Sequence, residues 1–477
     1  MIVMKFGGTS VEDASAIRRA AEIVKTRLAD KPVVVVSAMA KVTDQLLAAG
    51  RAAANGDRDQ ALAISRGLRE RHFNTAAELL SGGPLKPGGP LKPSSGLSGA
   101  TDDPLQKLHT DFDALFHRLD EVLRGVVAIG ELSPRTTDFV SGFGEALNSL
   151  QVAAAFQAAG LDTEHVDSRD VIVTDATHTH AVPLFEETDA RLQQRLRPLL
   201  DAHRVPVMGG FIGATRDGIP TTIGRGGSDF SAAIVGAALD SQRIEIWTDV
   251  DGMLTTDPNL CPDAHRIKVI SFNEAAELAY FGARVLHPAT IMPAVQKNIP
   301  VYILNSRNPK CEGTCITSQA PRSKNLFKAI AAKKRITIID LVATRMLMAH
   351  GFLRAIFEVF DRHRVPVDVV STSEVSVSVT VDTSEAIPEL AADLAKLADV
   401  HHEGHKAIVC IVGENIRMTP GVAGKVFGAI GDHNVRMISQ GASEINITFV
   451  IEEDEVPDVV RRLHGAFFAD VDPEVFA

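Results

Sequence analysis

The chain has few cysteines and few aromatic residues, and it contains no long apolar run. Its four cysteines (Cys261, Cys311, Cys315 and Cys410) are too few and too scattered for a disulfide framework. Cys311 and Cys315 lack the second pair or nearby histidine that completes a zinc site, so we predict free thiols and no metal cluster. No stretch approaches the roughly 20 apolar residues of a membrane-spanning helix. Met1 leads directly into a strand-like run instead of a signal peptide, so we expect a cytoplasmic protein without a membrane partner.

Positive charge is also scarce. The 477 residues include 60 acidic and 49 basic side chains, and the net charge of −11 excludes a chain-wide nucleic-acid footprint. The apolar fraction of 45% and the charged fraction of 23% are ordinary for globular proteins and exclude disorder throughout. At about 150 residues per domain, this length predicts roughly three domains.

The first part of the chain alternates short β-branched runs with longer helical patterns. Runs at 33–36, 205–209 and 244–247 are typical of buried strands, whereas 14–28 has apolar residues at helical spacing. Strands separated by helices predict an α/β domain over 1–308, with a mainly parallel sheet covered by helices.

Residues 81–104 interrupt that pattern. Gly, Pro, Ser and Lys dominate them, and a Gly-Gly-Pro-Leu-Lys-Pro hexapeptide occurs twice in succession. Such a composition buries too little apolar surface to offset the entropy lost on ordering. We predict a flexible surface insertion between two helices.

The last part of the chain contains an internal repeat. Gly351 and Gly421 each open an apolar helix, at an offset of 70 residues, and alternating strand patterns follow both. Each unit reads as strand, helix, strand, strand, helix. This order predicts two ferredoxin-like βαββαβ units, at 336–403 and 404–477, joined to the first domain by a linker at 309–335.

A glycine-rich turn follows the first predicted strand, in the order Lys5, Phe6, Gly7, Gly8. Paired glycines allow backbone N–H groups to approach an anion, and the lysine supplies a compact positive charge for phosphate oxygens. A Walker A loop has its lysine after the glycines, so this turn is a different arrangement. The motif is typical of a phosphate contact or of an ordinary turn.

A second glycine-rich turn precedes another apolar helix. Arg225 stands among its glycines, and Ser228 and Asp229 follow. We expect Ser228 or Asp229 to cap the helix, whose free N–H groups suit an anion. The guanidinium group suits a carboxylate held by two parallel hydrogen bonds.

Further polar side chains follow predicted strands and turns. Ser37 and Thr43 lie at the end of a strand where ligands bind in open α/β sheets, although both also suit helix caps. Glu145 follows a Gly-Phe-Gly turn and suits either a ligand ammonium group or the dipole of a helix. Thr248 and Asp249 begin an acidic turn that suits nucleotide contact, metal contact or plain turn chemistry.

Together and in this order, these motifs resemble those of the aspartate kinases. The resemblance runs from Ile2 to Phe468, and its C-terminal units resemble paired ACT regulatory domains. Residues 370–376 are most similar to monofunctional, lysine-sensitive members. The segments that carry the resemblance are 5–10, 37–43, 144–145, 224–229, 247–250 and 281–288.

The resemblance implies transfer of the γ-phosphoryl group of ATP to the side-chain carboxylate of L-aspartate, with Mg²⁺ as a cofactor. This is the first step toward lysine, threonine and methionine. The implied catalytic residues are Lys5, on the transferred group, and Asp229, which would organise Lys5. The implied aspartate-binding residues are Ser37, Thr43, Glu145, Arg225, Gly226, Gly227 and Ser228. The implied ATP-binding residues are Lys5, Phe6, Gly7, Gly8, Thr248, Asp249, Leu254, Asn259, Arg284 and Val285.

The resemblance also implies inhibition by lysine at an interface between ACT units of two subunits. We therefore expect a homodimer through these units, or a tetramer built from it. Ala349 and Pro366 stand where lysine-sensitive relatives tend to carry serine, which predicts weaker effector binding. The implied lysine-binding residues are Met346, Gly351, Phe352, Leu353, Val367, Asp368, Thr372, Ser373 and Glu374.

Two other functions remain open at this point. One is another amino-acid kinase of the same fold, which would not be expected to carry paired ACT units. The other is a catalytically inactive ACT-type sensor, against which the presence of Lys5, Glu145, Arg225 and Asp229 argues. We do not expect a fused homoserine dehydrogenase, because no Gly-x-Gly-x-x-Gly unit follows the repeat.

Overall fold

The computed structural model describes residues 1–81, 103–224, 226–282, 288–343 and 350–477. Four predicted site residues (Arg225, Arg284, Val285 and Met346) and most of the predicted insertion lie outside these ranges. The described residues form two compact units. The first holds the chain up to Gly252 together with 288–318, and the second holds 253–282 together with the chain from Gln319 onward. No helix in the described part of the chain is long and apolar enough to cross a bilayer.

Strands and helices alternate through the first unit, and both repeats in the second unit contain them. The strands are β1 (Ile2–Phe6), β2 (Pro32–Val36), β3 (Thr163–Val166), β4 (Val173–Thr174), β5 (Val205–Gly209), β6 (Ile212–Thr215), β7 (Pro220–Thr222), β8 (Ile244–Thr248), β9 (Val269–Ser271), β10 (Val301–Asn305), β11 (Thr314–Thr317), β12 (Phe327–Val342), β13 (Val370–Thr372), β14 (Ser376–Asp382), β15 (Asp399–Gly413), β16 (Met437–Gln440) and β17 (Asn446–Glu452). The helices are α1 (Ala14–Lys25), α2 (Val42–Ala54), α3 (Arg58–Leu80), α4 (Pro104–Ile129), α5 (Pro134–Ser141), α6 (Phe143–Ala158), α7 (Ser168–Val171), α8 (Phe185–Asp201), α9 (Gly227–Ala238), α10 (Phe272–Tyr280), α11 (Met292–Gln296), α12 (Phe352–Arg362), α13 (Ile387–Leu394), α14 (Val422–Ile430) and α15 (Val456–Phe467).

The main sheet of the first unit is parallel over most of its width. Its strands lie in the order β3-β5-β2-β1-β8-β10-β11, and only β11 in this series runs antiparallel to its neighbour. β1, β2 and β5 are buried along their whole length, as expected for strands covered on both faces. The Phe6 ring stacks on Trp247, with ring centroids 6.1 Å apart. The predicted α/β domain with a mainly parallel sheet is confirmed.

Two helices flank the position of the predicted insertion. α3 ends at Leu80, and α4 begins at Pro104 after Asp103, whose side chain accepts a hydrogen bond from Leu105 N. The inserted segment therefore joins two helices, as predicted. The helix predicted at 14–28 is shorter, because α1 ends at Lys25 and a 3₁₀ turn follows it.

The two repeats of the second unit share one antiparallel sheet, in the order β13-β14-β12-β15-β17-β16. The long strands β12 and β15 pair along their length and serve both repeats. The second half of β12 pairs with β14 of the first repeat, whereas the second half of β15 pairs with β17 of the second. Gly351 and Gly421 precede α12 and α14 with φ angles of 84° and 78°, so the 70-residue offset holds in the backbone.

Pairing between distant segments crosses the predicted domain boundaries. The predicted linker at 309–335 contains β11 and the first half of β12, which pairs with 407–413 of the second repeat. The second unit also takes in α10, although α10 lies within the predicted kinase domain. Glu277 on α10 accepts hydrogen bonds from Ser443 Oγ at 2.9 Å and from Asn446 Nδ2 at 2.7 Å.

Candidate active site

The candidate site of the first unit lies at the carboxyl ends of β5, β2, β1 and β8. Backbone hydrogen bonds join the residues that leave these strands, from Gly210 N to Val36 O at 2.8 Å and from Gly7 N to Trp247 O at 2.9 Å. Because the strands are parallel, all of these exits lie at one edge of the sheet, where ligands of open α/β sheets bind.

A buried ion pair joins two of the predicted catalytic residues. Lys5 Nζ lies 2.6 Å from Asp229 Oδ1, and the two side chains are only 10% and 14% exposed. β1 places Lys5, and the first turn of α9 places Asp229. The carboxylate compensates the buried ammonium group and directs it to the strand exits.

The start of α9 differs from its prediction. Neither Ser228 nor Asp229 caps the helix; Gly226 is the N-cap residue, with φ of 74°, and the helix begins at Gly227. This left-handed conformation favours glycine over any residue with a side chain. Ser228 and Asp229 consequently lie in the first helical turn beside the free N–H groups.

Close backbone packing holds these loops together. A Cβ atom added to Gly210 would lie 2.6 Å from Ser228 Cα, and one added to Gly144 would lie 2.7 Å from Ala38 Cβ. Neither position has room for a side chain. The loop after β5 thus packs on the start of α9, and the start of α6 packs on the loop after β2.

Glu145 is a buried carboxyl group on α6, with only 4% of the residue exposed. Burial raises its pKa to about 8, although N–H groups of Ala38 and of Glu145 itself and the charge of Lys5 oppose that rise. Its Oε2 atom has no hydrogen-bond partner among the described residues. A cationic ligand would stabilise the ionised form, so the carboxyl group suits the ammonium group for which it was predicted.

Two residues that hold the loop after β2 were missed by the sequence analysis. Asn148 Nδ2 donates to Ser37 O at 2.7 Å, and Arg71 donates to Ala40 O at 2.8 Å. The position of Asn148, one turn after Glu145 on the same face of α6, was a readable signal for it. Arg71 gave no such signal, because it follows a run of charged residues on α3. Thr43 lies in the first turn of α2, half-buried and not at the cap position.

The residues predicted to bind the nucleotide lie in different environments. Thr248 Oγ1 donates to the exposed Asp249 at 3.2 Å. The Phe6 side chain belongs to the hydrophobic core, so any contact of Phe6 with a ligand must come from its backbone. Leu254 and Asn259 belong to the second unit, where Leu254 pairs with Arg266 and Asn259 Nδ2 donates to Asp257.

Comparisons with known proteins identify the family to which the chain is similar. The sequence model of the amino acid kinase family matches residues 1–305, and that of an ACT domain matches residues 409–467. The chain is 36% identical to chloroplastic aspartokinase 3 of Arabidopsis thaliana, over 98% of this chain and 81% of the relative. It is 33% identical to lysine-sensitive aspartokinase 3 of Escherichia coli, over 98% of this chain and 99% of the relative.

The chain belongs to the aspartokinases.

Solved structures of the family support the same conclusion. E. coli aspartokinase III in complex with aspartate and ADP matches with a TM-score of 0.82 and 32% identity, covering 98% of this chain and 100% of that one. The same enzyme in complex with lysine and aspartate matches with a TM-score of 0.81 and 32% identity, covering 98% of this chain and 99% of that one. The predicted α/β kinase fold followed by ACT structure is thereby confirmed.

In the regulatory unit of this aspartokinase, Asp368 is engaged within the chain. Lys333 Nζ lies 2.9 Å from both carboxylate oxygens of Asp368, and Tyr280 Oη donates to Oδ1 at 3.1 Å. Lys333 also contacts Asp382 at 2.8 Å. Asp368 was predicted to accept a hydrogen bond from bound lysine, and in this structure its carboxylate has donors from within the chain.

The other described residues that were predicted to bind lysine differ in burial. Phe352 and Val367 pack against the core of that repeat, whereas Leu353 is 41% exposed. Thr372, Ser373 and Glu374 are exposed. Gly351 is the N-cap residue of α12, so that helix start offers free N–H groups as predicted.

The donor set of this aspartokinase fits a metal ion that arrives with a nucleotide. The described residues contain no group of three metal-ligating side chains, and all four cysteines are free thiols. Mg²⁺ usually keeps several waters and is bound by one or two carboxylates together with substrate phosphates. The exposed Asp249 carboxylate suits that kind of contact.

Proposed function

We propose that this aspartokinase transfers the γ-phosphoryl group of ATP to the side-chain carboxylate of L-aspartate. The observation that carries the proposal is the Lys5–Asp229 pair beside Glu145, because one buried site then offers a cation for phosphate and an acceptor for an amino acid. The E. coli relative was solved with aspartate and ADP, the ligands expected here.

The reaction requires no nucleophile from the protein. A carboxylate oxygen of aspartate forms a bond to the γ-phosphorus while the bond to the β,γ-bridging oxygen breaks, which gives 4-phospho-L-aspartate and ADP. The protein must align two anions and stabilise charge on the transferred group. Lys5 would contact the phosphoryl oxygens with N–H groups of Gly7 and Gly8, and Asp229 would hold Lys5.

Aspartate would be held at both of its ends. Arg225, outside the described residues, is proposed to bind the α-carboxylate, and Glu145 the ammonium group. Ser37, Thr43 and Ser228, with the backbone of Gly226 and Gly227, would bind the remaining oxygens.

The nucleotide would lie toward Thr248 and Asp249. Leu254, Asn259, Arg284 and Val285 are proposed to complete its contacts. Mg²⁺ bound to the phosphates would neutralise negative charge as the phosphoryl group transfers.

A hydroxamate assay with different acceptors tests this function. Aspartate should give acyl phosphate, whereas glutamate and N-acetylglutamate should give little. A preference for either of the other acceptors would identify a different amino-acid kinase, and no product with any acceptor would indicate a sensor. The Arg225→Lys variant should lose most of its activity on aspartate, because one ammonium group cannot reproduce two parallel hydrogen bonds to a carboxylate. Unchanged kcat/KM would remove Arg225 from the site.

We also propose that lysine inhibits the enzyme through the first ACT repeat. Two findings on the E. coli relative support this, since it is named lysine-sensitive and was solved with lysine and aspartate. Titration with lysine, threonine and methionine tests the proposal, and strong threonine inhibition without a lysine effect would contradict it.

The subunits are proposed to associate through their ACT units, as a homodimer or a tetramer. Apolar side chains on and beside the edge strands support this, because Val370, Val375 and Ile438 are 40%, 36% and 48% exposed. Light scattering of the purified chain gives the oligomeric state, and a monomer at assay concentration would contradict the proposal.

A further inference from the structure

The side-chain amide group of Asn148 makes one hydrogen bond, although it has donors and an acceptor for more. It lies on α6, three residues after Glu145, and the residue is fully buried. Its Nδ2 atom donates to Ser37 O at 2.7 Å. Because Ser37 O is an acceptor, this contact fixes which end of the amide is nitrogen and turns Oδ1 the other way.

Oδ1 of Asn148 has no hydrogen-bond partner among the described residues, and the same holds for Oε2 of Glu145. Buried acceptors without donors are unfavourable, so two of them on one helix face indicate a ligand that supplies donors. The charge of Lys5 acts on Glu145, but the ammonium group of Lys5 is engaged with Asp229.

The two acceptors belong to side chains at neighbouring positions on one face of α6. Residues three apart on a helix have Cβ atoms about 5–6 Å apart. Both side chains also contact consecutive residues, since Asn148 bonds to Ser37 and Glu145 to the N–H of Ala38. An ammonium nitrogen that lies about 2.8 Å from each oxygen can bridge them, and it has three N–H donors.

We propose that Asn148 Oδ1 is a second acceptor for the ammonium group of bound aspartate, beside Glu145. This inference rests on the proposed function and names a residue that selects the α-amino group of the substrate. Glu145 supplies the charge and Asn148 a neutral, directed oxygen. The same amide holds Ser37, so one side chain links the loop after β2 to the amino group of the substrate.

A comparison of aspartate with succinate separates these two roles of Asn148. Succinate has the same two carboxylates without the ammonium group, so a displaced Ser37 loop weakens both ligands equally. The experiment measures the KM of L-aspartate and the inhibition constant of succinate against aspartate, in the wild type and in Asn148→Leu. We expect the affinity for aspartate to fall about tenfold more than the affinity for succinate.

Gln151→Leu is the matched control. Gln151 is a fully buried amide one turn further along α6, and its Nε2 atom contacts Met39 Sδ at 3.7 Å. Its Oε1 atom also has no hydrogen-bond partner among the described residues, but it lies six residues from Glu145, about 120° around the helix. Its replacement should leave the aspartate-to-succinate ratio unchanged. Asn148→Ala, which also removes the acceptor and fills less space, replaces the leucine variant if that variant does not fold, and it should shift the ratio in the same direction.

Equal losses for the two ligands in an Asn148 variant would overturn the inference and leave the proposed function intact. The same ratio change in Gln151→Leu would also overturn it. A wild-type enzyme that does not phosphorylate aspartate would overturn the proposed function and this inference together.

Discussion

A lysine–aspartate pair occurs in each of the two units, buried in the first and part-buried in the second. The two pairs differ in how many hydrogen-bonding groups around them remain available to a ligand. In the first unit, Lys5 contacts Asp229 among glycine turns, and Glu145 nearby keeps a buried oxygen without a partner in the described structure. In the second unit, Lys333 is shared by Asp368 and Asp382, and Asp368 also accepts from Tyr280.

The difference lies in what each pair leaves available to a ligand. Glycine turns and an unpaired acceptor leave N–H and oxygen groups open beside Lys5, as a phosphoryl-transfer site requires. The donors around Asp368 satisfy its oxygens internally, as in a structural contact. An ion pair alone therefore does not identify a site, and the unsatisfied groups around it do.

The largest effect is expected when the lysine of the Lys5–Asp229 pair is replaced. We expect Lys5→Met to lower kcat about 10²–10³-fold, because the positive charge acts on the group being transferred. Lys333→Met is the matched control and should change kcat less than about twofold. Steady-state kinetics with saturating aspartate and ATP measure both, and a rise confined to the KM of aspartate would show that Lys5 has a different role.

The next largest effect concerns the pH dependence of Glu145. Its folded-state pKa is about 8 against an ordinary value of 4.5, so the folded protein holds this proton more tightly than the unfolded chain. This contribution to stability is complete below pH 4.5 and is lost as the pH rises to about 8. Relative to Glu145→Gln, the wild type should lose a few degrees of Tm between these limits. Parallel Tm curves for the two proteins from pH 5 to pH 8 would contradict the buried state of this carboxyl group.

A smaller effect, on inhibition by lysine, is expected at the Lys333–Asp368 pair. Lys333→Met removes the internal donor from Asp368, so the lysine concentration for half-inhibition should fall about tenfold. Lys334→Met removes the exposed neighbouring charge and should leave it unchanged. Inhibition that weakens in Lys333→Met would show that Lys333 assists effector binding instead of competing with it.

The smallest effect is expected at a part-buried cluster of charged side chains on the second repeat. A hydrogen bond to Asp458, together with Glu455, raises the pKa of His433 above 6.5. The stabilisation is present below the ordinary pKa and is lost as the pH rises through the raised one. His433→Gln should therefore lower Tm slightly at pH 6 and not at pH 9, and an equal loss at both values would indicate packing instead of charge.

The sequence predicted which residues lie at the strand ends of the site better than it predicted the contacts between those residues. Lys5, Ser37 and Glu145 follow local patterns of strands, turns and helices, and those patterns place them at one sheet edge. The bond of Asn148 to Ser37 and the pairing of Lys333 with Asp368 join residues far apart in sequence. Local periodicity carries no information on such partners, since tertiary packing decides them.

The same limit applies to strand pairing across the predicted domain boundaries. The chain at 327–333 shows an ordinary strand pattern, but only its pairing with 407–413 assigns it to the second repeat. The polar face of α10 likewise gave no indication that Glu277 would meet Ser443 and Asn446.

Because β12 and β15 each pair with strands of both repeats, no single cleavage of the chain separates the two repeats. The first half of β12 precedes the first repeat in the chain but pairs with the second half of β15 in the second repeat. A fragment that begins at residue 404 therefore lacks one of the two strands that flank the second half of β15, and only β17 remains. Folding of the second repeat must wait for contacts across the whole intervening segment, which raises the contact order of the pair. We therefore expect the two repeats to unfold in one cooperative transition. A substitution that destabilises one repeat should also destabilise the other, because β12 and β15 run through both.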